Sequence, residues 1–469
     1  MRGIAWRMAG CLASVLLPIL ALGPHASAAR LAPPTHGRAL QQNKPVPELV
    51  KVPWKPLFTD EEIRRGTLYG SGLRLQQLAR KLVAGQPIKV VFLGGSVTNS
   101  ADLEAQGLSF TARFEAFIRS AFPNRGHVFI NQGVPKSNSG WFASCVDTLV
   151  DPDTDLVFVE FAVNDQHDAD ETSIQRRSYE FMLRSVLGVA SQPAVVLLNH
   201  YSWYLSRGYG VSSGLFFSGP ESAFNDLAQY YDVPSMSLRA AAWRLMDKDV
   251  DGFRVDRQTR SMDPADKSFI YFDLVHPNPN GHQLLAELAC APIIRAVWEA
   301  RSKLELTRRT DSRLGDLPPM IPTLRAGARP YCAIQEKFQR AVAVAAGFNY
   351  TADNPRAPTF KTQYWGYEAT AQGSILTLNI STASGIPGDM RRAQVFILHK
   401  KAAGMGSGTV NCVSGCSCPP ARLDSVQGAA AYITNVVELQ ATQSQACRIR
   451  IVITSSGLKV KVTGVTVNF

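Results

Sequence analysis

Lys89-Val90-Val91-Phe92-Leu93-Gly94-Gly95-Ser96-Val97-Thr98 decides how this chain is read. Its first five residues form a short apolar run of the kind buried on both faces of a sheet, and the two glycines end it in a turn. Working outward, residues 108–122 place apolar side chains at helical spacing. Further strand-like runs follow at 128–131, 156–163 and 194–199, with helical stretches such as 174–189 between them and a closing helix over 281–298. Uninterrupted apolar strands alternating with helices predict an α/β region with a parallel sheet covered on both faces.

Upstream, Arg2 and Arg7 precede an apolar stretch over 8–23, then Pro24 and the small residues Ala26-Ser27-Ala28. This predicts a signal peptide cleaved near Ala28, residues 1–28, and hence a secreted, extracellular protein of the cell wall or matrix. The alternative, an N-terminal anchor, needs about 20 apolar residues and this run is shorter and broken by Pro18. No stable membrane insertion is expected after cleavage. Residues 29–88 form an extension of mixed composition.

Downstream, residues 301–330 turn basic and Pro-rich around Leu317-Pro318-Pro319-Met320-Ile321-Pro322, which predicts a linker between an α/β domain over 89–300 and a second domain over 331–469. There the pattern shifts to short runs at 374–380, 394–399, 431–439, 448–454 and 459–467 with Gly and Ser turns, indicating an all-β sandwich or jelly roll. The chain of 469 residues has 45% apolar and 19% charged residues and a net charge of +11, which excludes disordered, collagen-like and coiled-coil classes. Charge is uneven: residues 331–469 carry 13 basic and 6 acidic side chains, so the β-domain could favour an anionic glycan surface or simply present a soluble basic face. No nucleic-acid partner is expected.

Seven cysteines remain after the signal: Cys145, Cys290, Cys332, Cys412, Cys416, Cys418 and Cys447. In an oxidising compartment most should pair, leaving at least one over, with the partners undetermined. Disulfides explain the Cys412–Cys418 cluster better than zinc, because no histidine completes a ligand set. Asp247-x-Asp249-x-Asp251-Gly252 copies half a calcium loop, but Gln258 stands where a bidentate Glu is needed, so no metal is expected. Asn349 and Asn379 head N-glycosylation sequons.

Three strand ends carry the candidate chemistry. Ser96 follows the first run, where a hydroxyl is held above the sheet edge. Such a hydroxyl needs a base, itself oriented by a third group, and Asp273-Leu274-Val275-His276-Pro277 supplies both. Asn164, in Glu160-Phe161-Ala162-Val163-Asn164-Asp165, and the backbone N–H groups of Ser96 and Gly133 could receive a developing oxyanion. His282 competes with His276 as base but has no acid three residues before it, so capping or packing suits it better. Trp141, His200, Tyr201, Trp203 and Tyr204 lie around this rim and could stack on sugar rings.

In order, Gly94-Gly95-Ser96, Gly133, Val163-Asn164-Asp165 and Asp273-x-x-His276-Pro277 resemble the four sequence blocks of the SGNH (GDSL-type) hydrolases. The resemblance covers residues 89–298. It implies a three-layer, flavodoxin-like fold and ester hydrolysis through an acyl-serine, with Ser96 as nucleophile, His276 as base and Asp273 as its partner. Ser96, Gly133 and Asn164 would form the oxyanion hole, and no cofactor is required. Two positions depart from the family: Gly95 stands where Asp is usual, and Ala162 where Gly is usual.

The expected activity is therefore a secreted serine esterase that removes acyl groups, notably acetyl, from extracellular polysaccharide. A polysaccharide O-acyltransferase using the same triad and a catalytically inactive wall-binding protein are the alternatives.

Overall fold

The computed structural model describes residues 48–469 except 136, 168, 171, 205–215, 217–218, 256–268, 303–316, 322–323, 325–327, 358–362 and 427–432. The expected signal peptide, and Gln258, lie outside these residues.

Six strands form the first sheet: β1 (Thr67–Leu68), β2 (Lys89–Gly94), β3 (Val128–Asn131), β4 (Leu156–Glu160), β5 (Ala194–Asn199) and β6 (Ser235–Ser237). Their order is β1-β6-β5-β4-β2-β3, parallel throughout except for the antiparallel edge strand β1. The order reverses at β2 and β4, so the ends of these two strands diverge into the crevice where ligands of open α/β sheets bind.

Alternation on β2 explains why its run is apolar throughout. Val90 and Phe92 pack beneath the helices Phe110–Ala121 and Pro279–Arg301, while Val91 and Leu93 pack beneath Ile174–Leu187 and the short helix Ser139–Ala143. Helix entry follows local capping chemistry. Ser109 and Ser173 accept the N–H of the third residue beyond, and Asn278 caps a helix that begins with Pro279.

Residues 48–88 complete the α/β region instead of standing apart. The helix Leu73–Val83 packs in the same core, β1 extends the sheet, and Glu287 collects the backbone N–H groups of Leu57 and Phe58 at 2.9 Å. Among the described residues no helix is long and apolar enough to cross a membrane.

From Tyr331 the strands of two further sheets pair antiparallel. One sheet runs Ile433–Ala441, Ala393–Lys401, Val460–Asn468, Trp365–Ala369, Asn349–Ala352, with Tyr331–Ile334 also paired to Val460–Asn468. The other runs Ala421–Asp424, Ser407–Ser414, Cys447–Ile453, Ile375–Ile380, Val342–Ala346. Leu376, Leu378, Ile449 and Ile451 meet Val395, Ile397, Val465 and Val467 in the core.

The sandwich packs on the α/β region. Phe396 and Leu398 leave the sandwich core and join the cluster that holds Trp141, Phe142 and Val159. Cys145 is bonded to Cys332 across this contact, and Ser144 Oγ donates to the Val467 carbonyl at 2.8 Å. Cys412 pairs with Cys418 and Cys416 with Cys447, leaving Cys290 free and buried.

The Pro-rich stretch expected to be a linker is pinned where it is described. The N–H groups of Met320 and Ile321 bond the Glu180 carboxylate at 2.6 and 2.9 Å, and Arg184 donates to the Leu317 carbonyl at 2.7 Å.

Candidate active site

Ser96 opens a one-turn helix, Ser96–Asn99, directly after β2. The loop that follows residue 269 brings His276 back over it, and the His276 Nε2 to Ser96 Oγ distance is 2.8 Å. Asp273 Oδ2 lies 2.8 Å from His276 Nδ1, while its Oδ1 accepts the N–H groups of Val275 and His276 at 2.7 Å each. The carboxylate thus closes its own turn and fixes the ring's tautomer together. Nδ1 carries the proton, and Nε2 is left to accept from the serine hydroxyl. Partial burial pushes the Asp273 carboxyl up, but the His276 ring and the two backbone donors outweigh it and bring it down to about 2. Asp273 is therefore ionised at any pH at which His276 could act as a base.

Asn164 and Gly133 stand beside this line. A Cβ at residue 95 would lie 2.2 Å from Asn164 Oδ1, so the glycine found where the family has Asp is what admits the Asn164 amide here. A Cβ at residue 133 would lie 2.4 Å from the Asn99 nitrogen, so Gly133 lets that strand end close on the Ser96 helix. The Gly133 N–H is donated to Asn131 Oδ1 at 2.9 Å, and Asn131 Nδ2 in turn donates to the Thr98 carbonyl at 2.7 Å.

The remaining rim candidates separate. Trp141 borders the cleft in front of Ser96. His200, Tyr201 and Trp203, expected as substrate contacts, are not among the residues that line it. They are 1%, 5% and 0% exposed and pack beneath the loop that carries Asp273 and His276. His200 Nε2 donates to the Val275 carbonyl at 2.8 Å, Ser202 Oγ donates to the Leu274 carbonyl, and Tyr271 OH donates to the Tyr201 carbonyl. The reason is geometric: β5 ends under this loop, so residues directly after it meet its backbone before they meet solvent. Burial lowers His200 to about 4, keeping it neutral.

His282 is likewise buried and held as a packing residue. Its Nδ1 accepts the Phe110 N–H at 3.2 Å and its Nε2 lies 3.0 Å from Ser100 Oγ. Asn349 and Asn379 are both exposed.

Two features of the site escape a reading of the sequence alone. One is Glu160, the last residue of β4, which is fully buried under the Ser96 turn. Burial pushes its carboxyl up to about 7 against the pull of the Thr98 hydroxyl, the His276 ring and the Gly95 amide. The other is a wall supplied by the sandwich: Gln335, Tyr364, Trp365, Lys400 and Thr434 line the same cleft of about 950 Å³ as Ser96 and His276. Lys400 Nζ sits 4.2 Å from the centre of the Tyr364 ring and donates to Thr434 Oγ1 at 3.0 Å. The adjacent aromatics Tyr364-Trp365 at a strand entry are the signal that could have pointed to it.

Residues 92–284 match the model of the GDSL-like lipase/acylhydrolase family. This region is a GDSL-type (SGNH) hydrolase domain. The hydrolase is accordingly a serine enzyme acting on carboxylic esters. A two-domain esterase (CEX) active on acetylated mannans, co-crystallised with mannopentaose, superposes with a TM-score of 0.61 at 17% identity over 86% of this chain and 97% of that one. A further structure of a two-domain esterase (CEX) active on acetylated mannans gives 0.62 at 18% identity with the same coverage. At that identity the likeness speaks to fold, and it extends over the hydrolase domain and the sandwich together. No curated protein matches the sequence.

Proposed function

We propose that the hydrolase removes acetyl groups from an extracellular polysaccharide, with Ser96 as nucleophile, His276 as base and Asp273 as its orienting acid. The observation that carries this reading is the continuous line Asp273 Oδ2, His276 Nδ1, His276 Nε2, Ser96 Oγ, with both gaps at 2.8 Å. As Ser96 Oγ attacks the ester carbonyl, its proton passes to His276 Nε2, and the imidazolium is stabilised by the Asp273 carboxylate. The negative oxygen is received by the Ser96 N–H and the Asn164 amide, and by the Gly133 N–H as it is shared away from Asn131. Collapse expels the sugar oxygen, which takes the proton from His276, and leaves acetyl on Ser96. Water then attacks the acyl carbon with His276 again accepting a proton, which it returns to Ser96 Oγ as the bond to Ser96 breaks and acetic acid departs.

A glycan substrate is supported by the second wall of the cleft. Tyr364 and Trp365 place aromatic surface on the sandwich, facing the same space as the proposed nucleophile, which suits sugar rings flanking an acetylated position. The fold-level likeness to an esterase active on acetylated mannans points the same way. Secretion is supported by the three disulfides and the N-terminal signal pattern, and Asn349 and Asn379 are open to glycosylation.

Incubating the mature protein with p-nitrophenyl acetate and with acetylated plant and algal polysaccharides should release acetate from both kinds of substrate. No acetate from any substrate, with correctly folded protein, would overturn the reading in favour of a binding protein.

A further inference from the structure

We infer that Glu160 is a positioning residue for the esterase reaction: its buried carboxylate anchors the turn that carries Ser96 and supplies a second negative charge to the imidazolium formed on His276. The inference rests on the proposed roles of Ser96 and His276.

Glu160 pairs with Gly94 in the β2–β4 register, so its side chain leaves the sheet directly beside the turn. Thr98 Oγ1, two residues past Ser96, donates to its Oε2 at 3.1 Å. The Gly95 amide also favours its charged form. Through Thr98 the carboxyl ties the helix that opens with Ser96 to the end of β4, the same strand whose following turn places Asn164. Its Oε1 is buried with no hydrogen-bond partner. A buried carboxyl with one oxygen unpaired costs stability.

A charge on Glu160 is little weakened by water. Asp273 is 55% exposed at the side chain and its field is weakened by water, whereas Glu160 is 0% exposed. The groups that bear on Glu160 are His276, which favours its ionised form, and Asp165, which opposes it; Tyr179 lies within its field. Asp165 accepts from the Ser139 N–H and hydroxyl and is offset by Arg176. An ionised Glu160 and a protonated His276 therefore support each other, and the pair is favoured when Ser96 gives up its proton.

The test is the pH dependence of p-nitrophenyl acetate hydrolysis in Glu160→Gln and Thr98→Val. Glu160→Gln keeps the shape and an acceptor for Thr98 but removes the charge. Its kcat should fall roughly ten-fold, with KM changed less than about two-fold. With the neighbouring negative charge gone, the acid limb of kcat/KM should move to lower pH. Thr98→Val removes a donor that holds Glu160 ionised, so Glu160 keeps its proton to higher pH and the acid limb should move upward.

Opposite displacements in the two variants are the expected signature, and a purely structural role would not produce them. If Glu160→Gln fails to fold, the upward shift in Thr98→Val decides alone. Profiles superimposable on wild type with kcat within two-fold would overturn the inference. Fluorophosphonate labelling of the wild type separates the two levels. Labelled Ser96 with unchanged profiles sinks only the role of Glu160, whereas an unlabelled wild type takes the esterase reading down with it.

Discussion

The two regions of this molecule bury their strands differently, and the difference tells where chemistry and shape come from. In the hydrolase domain β4 and β5 are buried at every position, because helices cover both faces of the sheet. In the sandwich, Cys447–Ile453 alternates, with Cys447, Ile449, Ile451 and Ile453 buried and Arg448 and Arg450 exposed. Parallel strands deliver all their C-terminal ends to one rim, so Ser96 and Asn164 converge without any one segment encoding the site. Antiparallel strands distribute their ends, and the sandwich contributes a wall. The exception sharpens the rule: Ala393–Lys401 is buried at eight of nine positions because the sandwich core covers one face and the hydrolase domain the other.

If chemistry belongs to one region and shape to the other, variants should separate along that line. Ser96→Ala or His276→Ala should lower kcat on p-nitrophenyl acetate by roughly 10⁴-fold or more in initial-rate assays, since triad members act as a unit. Asp273→Asn should cost about 10²- to 10³-fold. The half-exposed site lets water replace part of what the carboxylate does, and the loss should be in kcat.

Replacing both Cys145 and Cys332 by serine removes the covalent tie between the regions. A loss of about 2–4 kcal/mol in urea unfolding is expected, with weaker binding of polymer as the sandwich wall loosens. The smallest effect should come from Trp365→Ala. KM for acetylated polysaccharide should rise about five-fold, by the contribution of one stacked ring, and the change on p-nitrophenyl acetate should be smaller. A larger loss on the small ester than on the polymer would break the division between the two regions.

Much of this is legible in the sequence, for physical reasons that also set its limits. Strands β2 and β5 are readable because a short apolar run bounded by turns and helical stretches has little else to form but a buried strand. The same kind of run makes β3 readable, although it lies at the sheet edge with Val128 exposed. The run 156–163 overshoots. The strand stops at Glu160, and Phe161 and Ala162 are apolar because they are buried beneath a turn in which the N–H groups of Asn164 and Asp165 both bond the Phe161 carbonyl. Strands of two and three residues, β1 and β6, carry too little pattern to be seen.

The Asp273 and His276 pair is readable because a carboxylate can reach a ring three residues on within one turn. His200 is not the rim residue its position after a strand suggests, since only the path of the 270s loop decides that its ring meets the Val275 carbonyl and not solvent. Glu160 looks like one more strand residue. Its significance lies in Thr98 and Gly95, which the sheet register brings to it from 62 and 65 positions away. Tyr364 and Trp365 reach the cleft only through the packing of one region on the other.

The central claim is that Ser96 is an activated nucleophile. Treating the mature protein with a fluorophosphonate and mapping the adduct by mass spectrometry tests it most directly. The account predicts a single adduct on Ser96 that is absent from Ser96→Ala and strongly reduced in His276→Ala. An adduct on another serine, or none on folded wild-type protein, would contradict it.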